Sequence, residues 1–150
     1  MKRQMRLLFL VVLFLPIMVM AQEKGFGIGI ILGEPTGISF KNWTSSQTAV
    51  DGGLAWSFTH NGSLHLHVDY LVHNFNLFKV EKGKLTLYYG IGGRFKSEKK
   101  ERIGARIPVG LCYIPAKAPL DVFLEVAPLL DVAPATEFGL TGGIGLRYYF

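Results

Sequence analysis

The chain has 150 residues, 49% of them hydrophobic and 18% charged, and its 16 basic and 11 acidic residues give a formal charge of +5. Three of the basic residues, Lys2, Arg3 and Arg6, lie in an export-type leader; without residues 1–21 the balance is 13 basic against 11 acidic, or +2. That excludes a strongly basic nucleic-acid-binding surface, and the single Cys112 excludes a fold stapled by an internal disulfide.

The first segment reads as a cleaved secretory signal peptide over residues 1–21. A positive start is followed by the apolar run Leu7–Leu15, and Val19 and Ala21 stand at the small-residue positions before Gln22. Pro16 interrupts the apolar stretch, which falls short of the about 20 residues that a spanning helix needs. The residue directly after the cleavage point is Gln22, not Cys, so a lipid-anchored mature end is not expected.

Residues 22–150 show no helical period and are expected to form one domain. Eight strand-like segments can be drawn, at 25–33, 36–43, 48–58, 63–75, 84–95, 102–114, 119–131 and 138–150. Turn residues separate them: Gly33-Glu34-Pro35-Thr36, Thr44–Gln47, His60-Asn61-Gly62, Lys82-Gly83-Lys84, Ser97–Glu101, and proline-containing stretches at 115–119 and 134. The Gly25-Phe26-Gly27-Ile28-Gly29 run has no helix after it and is not a dinucleotide loop.

Alternation within the segments is two-faced. In the fourth, Leu64, Leu66, Val68, Tyr70 and Val72 alternate with His65, His67, Asp69, Leu71 and His73. In the sixth, Ile103, Ala105, Ile107, Val109, Leu111 and Tyr113 alternate with Arg102, Gly104, Arg106, Pro108, Gly110 and Cys112. In the last, Phe138, Leu140, Gly142, Ile144, Leu146, Tyr148 and Phe150 alternate with Gly139, Thr141, Gly143, Gly145, Arg147 and Tyr149. Successive strand side chains point to opposite faces. Nearly every charge within a strand falls on the glycine-rich face, and the other face is apolar with aromatics near its ends. An apolar exterior around a polar interior is the pattern of a transmembrane barrel, the reverse of a water-soluble one. The expectation is therefore an all-β, eight-stranded antiparallel up-and-down transmembrane β-barrel with short loops. An even strand count puts both ends on one side, the periplasm in bacterial barrels. The connections at 44–47, 76–83 and 115–118 would share that side, with those at 33–36, 59–62, 96–101 and 132–137 facing outside.

Two candidate sites lie on the inner face. Arg106, Glu125 and Arg147 sit near the middle of three consecutive strands, and buried charges must be paired to be tolerated. An Arg–Glu–Arg network is expected, with Arg94, Asp121, Asp69, Asp51 and Lys41 on the same face to join it. His65, His67 and His73, with Asp69, could hold a transition metal. A hydrogen-bonded polar plug is the plainer reading, because alternate residues stand about 6.6 Å apart along a strand.

Phe150, Tyr148, Leu146 and Ile144 at alternating positions, with the leader and the eight strands, resemble the small bacterial outer-membrane β-barrel families of the OmpA/OmpX-like kind. Gly33-Glu34-Pro35-Thr36-Gly37 and Gly142-Gly143-Ile144-Gly145 are similar to segments of small members of that group. The resemblance implies an outer-membrane location, and a C-terminal assembly signal on those four residues. It also implies outer-membrane lipids, the barrel assembly machinery and periplasmic chaperones as partners. The expected function is non-enzymatic, in envelope structure or surface interaction, for a monomer with a filled polar lumen and no cofactor. The alternatives are a lipid A- or phospholipid-modifying enzyme, a narrow pore, and a periplasmic lipid-carrier barrel. For the enzyme, His60 and Ser63 flank a loop, but no His-x-Ser motif is present. The carrier would need an apolar interior.

Overall fold

The computed structural model describes residues 25–34, 36–57 and 62–150. The expected leader over 1–21, Pro35, Phe58 and the His60-Asn61 part of the hairpin signal lie outside the described residues.

Nine strand segments follow one another: β1 (Phe26–Glu34), β2 (Thr36–Trp43), β3 (Thr48–Ser57), β4 (Ser63–Asn74), β5 (Lys84–Ser97), β6 (Glu101–Arg106), β7 (Val109–Ile114), β8 (Leu120–Ala133) and β9 (Glu137–Tyr149). Each pairs antiparallel with its chain neighbours, except that β6 and β7 both lie between β5 and β8. Pairing of β1 with β9, from Gly27 opposite Tyr149 to Glu34 opposite Gly142, closes the ring.

The ring has eight staves, because β6 and β7 are one stave with a gap in its hydrogen-bond ladder. Arg106 opposes Leu129 and Val109 opposes Val126, so the register runs unbroken across the gap. The gap falls at Pro108, which has no N–H to give, and the facing Pro128 is equally without a donor. Local pairing survives on single bonds, Ile107 N–H to Pro128 O at 3.0 Å and Gly90 N–H to Pro108 O at 3.0 Å. The segment expected as one strand over 102–114 is therefore interrupted, while β5 and β8 run two residues further than expected. At the other end of β6, Ile103 opposes Ala133 but Gly104 opposes Asp131, which leaves Val132 as a bulge.

The two faces carry opposite polarity. Ile91, Leu124 and Leu140 are 65%, 54% and 69% exposed on the outside, whereas Asp69 and Asp121 are fully buried inside and Arg147 is 1% exposed. The third strand, the weakest by pattern, follows the same rule, with Val50 and Trp56 outward and Ala49, Asp51 and Ala55 inward. Leu71, Tyr88, Cys112 and Phe123 form the apolar part of the interior. Eight strands enclose just enough room for side chains to fill, and the fit is tight at Gly145, where the Phe123 ring occupies the space a Cβ would need. Gly62 and Gly83 turn the chain with φ of +64° and +76°, the region that glycine enters without steric cost. No helix among the described residues is long and apolar enough to cross a membrane, which bears only on helices.

Candidate functional site

The charged side chains inside the barrel form three tiers. The lowest, near the chain ends, is built where Asp121 on β8 stands directly opposite Arg147 on β9. Arg147 Nε donates to Asp121 Oδ1 at 2.9 Å, and Tyr149 donates its hydroxyl to Asp121 Oδ2 at 2.5 Å. Lys41 Nζ lies 3.9 Å from the same oxygen. The guanidinium of Arg147 stacks 4.0 Å from the Phe123 ring centre, and Lys41 Nζ sits 4.2 Å from that of Trp43. These cations therefore meet both carboxylate and aromatic faces, arrangements worth more when desolvated.

The middle tier centres on Arg106. Its Nη2 donates to Glu125 Oε1, and its Nε lies 2.9 Å from Asp69 Oδ2. Tyr88 donates its hydroxyl to Glu125 Oε2 at 2.8 Å, so the glutamate is held from two sides. The expected Arg–Glu–Arg arrangement is thus corrected. Arg106 takes Glu125, but Arg147 takes Asp121 and lies 3.5 Å from Asp51. The reason is stagger: across the β8–β9 pair Glu125 opposes Gly143, and Arg147 comes level with Asp121 four residues away.

The upper tier lies at the end opposite the chain termini. Arg94 grips Asp131 with two hydrogen bonds, at 2.9 and 2.5 Å, in the fork geometry that suits guanidinium and carboxylate. Arg102 bonds Glu137 at 2.7 Å, and Ser57 donates to Glu34 at 2.5 Å. Ser63 Oγ and His65 Nε2 are hydrogen-bonded at 3.0 Å, and both residues are buried.

The histidines do not converge on one point. His65 belongs to the upper tier, while His73 stacks in an aromatic group with Trp43 at 4.5 Å and Tyr88 at 5.2 Å between ring centres. Among the described histidines only His67 joins a possible ligand set, and its companions are Asp51 and Asp69, with one donor atom from each residue inside 4.8 Å. At the end where Gly25 and Tyr149 lie, the barrel opens into a largely apolar cavity of about 670 Å³. Trp43, Phe75, Ile114, Leu120 and Tyr149 line it.

The barrel fold is shared with a solved structure. The N-terminal β-barrel domain of Pseudomonas aeruginosa OprF matches it with a TM-score of 0.62 at 11% identity, covering 85% of this chain and 98% of that one. The two share a fold. No family model matches the sequence, and no curated protein does.

Sequence reasoning placed the charges on the correct face but missed two partners, Tyr88 and Tyr149, whose hydroxyls complete the carboxylate shells. It also missed that Asp51 and Asp69 oppose one another across β3 and β4. The turn signal did not mark the second, because a two-residue turn at Asn61-Gly62 would bring Asp51 level with Val72, whereas it stands opposite Asp69.

Proposed function

We propose that the protein is a small outer-membrane β-barrel with an ion-paired, filled lumen, serving envelope structure or surface interaction rather than catalysis or diffusion. One observation carries the reading. A closed ring exposes aliphatic and aromatic side chains on the outside of its strands and buries its charges within, and only such a ring satisfies backbone polar groups in hydrocarbon. In this reading the chain ends and the 670 Å³ cavity face the periplasm. The outward face of β9, with Ile144, Leu146, Tyr148 and Phe150, is what the assembly machinery recognises. Outer-membrane lipids surround a monomer, which periplasmic chaperones escort before insertion. The polar interior argues against a lipid-carrier barrel.

Two measurements test it together. The protein should extract with outer-membrane detergent fractions and shift in gel mobility on heating, and the purified barrel should give near-baseline conductance in planar bilayers. Recovery only from the soluble periplasm would overturn the location, and sustained large conductance would overturn the filled lumen.

A second reading, a lipid-modifying enzyme, draws on the Ser63–His65 pair, which has the reach of a nucleophile and its base. Against it, both side chains point into the lumen and not towards lipid. Lipid A mass spectra from cells with wild-type protein and with Ser63→Ala should be identical; a mass difference between them would make this the leading reading.

A further inference from the structure

The middle and lower tiers hold four buried carboxylates, Asp51, Asp69, Asp121 and Glu125, against three buried cations, Lys41, Arg106 and Arg147. Each arginine has a nearer carboxylate: Glu125 for Arg106, and Asp121 for Arg147 at 2.9 Å against 3.5 Å to Asp51. Lys41 also lies on the Asp121 side, over the Trp43 ring. Asp51 and Asp69 each share an arginine that has a nearer carboxylate, and they stand directly opposite one another across β3 and β4. Like charges in that position repel. Asp51 is 5% exposed and its Oδ1 has no hydrogen-bond partner, and neither oxygen of the fully buried Asp69 has one either. The contact of Asp69 with Arg106 Nε is therefore one of charge, not a directed hydrogen bond.

His67 stands on the same inner face two residues before Asp69, with its Nε2 4.0 Å from Asp69 Oδ2. We propose that Asp51, His67 and Asp69 form a binding site for one divalent transition-metal ion of the zinc class inside the barrel. Two carboxylate oxygens and an imidazole nitrogen are a donor set that such ions accept, and with four carboxylates against three cations these tiers carry one negative charge in excess. Ligand atoms about 2 Å from a shared ion stand roughly 3.3 Å apart in a tetrahedron. The present donors lie within 4.8 Å of one another, so ion binding would draw them together by up to about 1.5 Å. A small cavity of about 20 Å³ beside His67, lined also by Arg106 and Glu125, has room for one water. His67 keeps 14% exposure of its side chain and gives the ion a way in.

The test uses the untagged barrel in detergent, dialysed against micromolar zinc and, separately, cobalt. The expected result is one zinc per chain and the visible absorption of four-coordinate cobalt. Asp51→Asn and His67→Gln should each weaken binding at least tenfold, while His65→Gln and His73→Gln leave it unchanged. Heat-dependent gel mobility shows whether each variant is folded, and Asp69→Asn carries the test if Asp51→Asn is not. Wild-type protein that retains no more zinc than the asparagine variant overturns the proposal, as it would if a shared proton balanced the two aspartates instead. Zinc lost equally from His65→Gln also overturns it. The outcome is independent of whether the barrel resides in the outer membrane.

Discussion

Replacing Arg147 with methionine is expected to destabilise the folded barrel by about 3–5 kcal/mol, the usual cost of leaving a buried charge without its partner. The loss is large because Asp121 is fully buried and takes its charge-assisted bond from Arg147. Tyr149 and a lysine 3.9 Å away would be its remaining contacts. Adding Asp121→Asn to the same chain should restore much of the stability, since removing both charges avoids the orphaned one. Urea unfolding in lipid vesicles, followed by tryptophan fluorescence, measures both variants. A single substitution costing under about 1 kcal/mol, within the range of exposed pairs, would mean that the inner charges are solvated and the lumen is not closed.

Leu124→Arg is expected to cost about 2–4 kcal/mol in the same assay, the penalty for a cation near the bilayer midplane. Leu124 is 54% exposed, in the middle of the apolar band on β8, between Leu111 and Ile144 on the neighbouring strands. Phe138→Arg, at the start of β9 and 88% exposed, should cost only about 0–1 kcal/mol because the interface hydrates it. Equal costs at the two positions would contradict a membrane-spanning exterior. Ala127, on the opposite face, is no neutral comparison, because it is fully buried and an arginine there would overfill the lumen.

How much of this was legible in the sequence follows from which forces act locally. Strand positions and faces were, because an apolar outside and a crowded polar lumen inside impose period two on each segment separately. Even the charge-bearing face of β4 reads off as His65, His67, Asp69 and His73. The gap at Pro108 was less visible, since only the absence of a donor marks it and the side-chain alternation continues across it. Pairings between strands were not legible, because they depend on stagger around the ring. Counting to the middle of each segment aligned Glu125 with Arg147, while the actual register aligns Asp121 with it. Even the hairpin signal at His60-Asn61-Gly62 does not give the Asp51–Asp69 opposition, since a two-residue Asn-Gly turn would shift the register by three.

The seam between β1 and β9 bears on how such a chain reaches its final state. Gly27 and Tyr149, Cα partners there, belong to opposite ends of the described chain. Every other stave can pair with a neighbour in sequence, but this one waits for the whole sheet to curl round. Loop-closure entropy alone makes that tolerable, rising by only about 0.6 kcal/mol per doubling of length. The harder constraint is that an unclosed sheet presents two rows of unpaired N–H and C=O groups, which hydrocarbon cannot solvate. A half-built sheet therefore has no resting place inside a bilayer. In the outer-membrane reading proposed above, insertion and ring closure are therefore coupled.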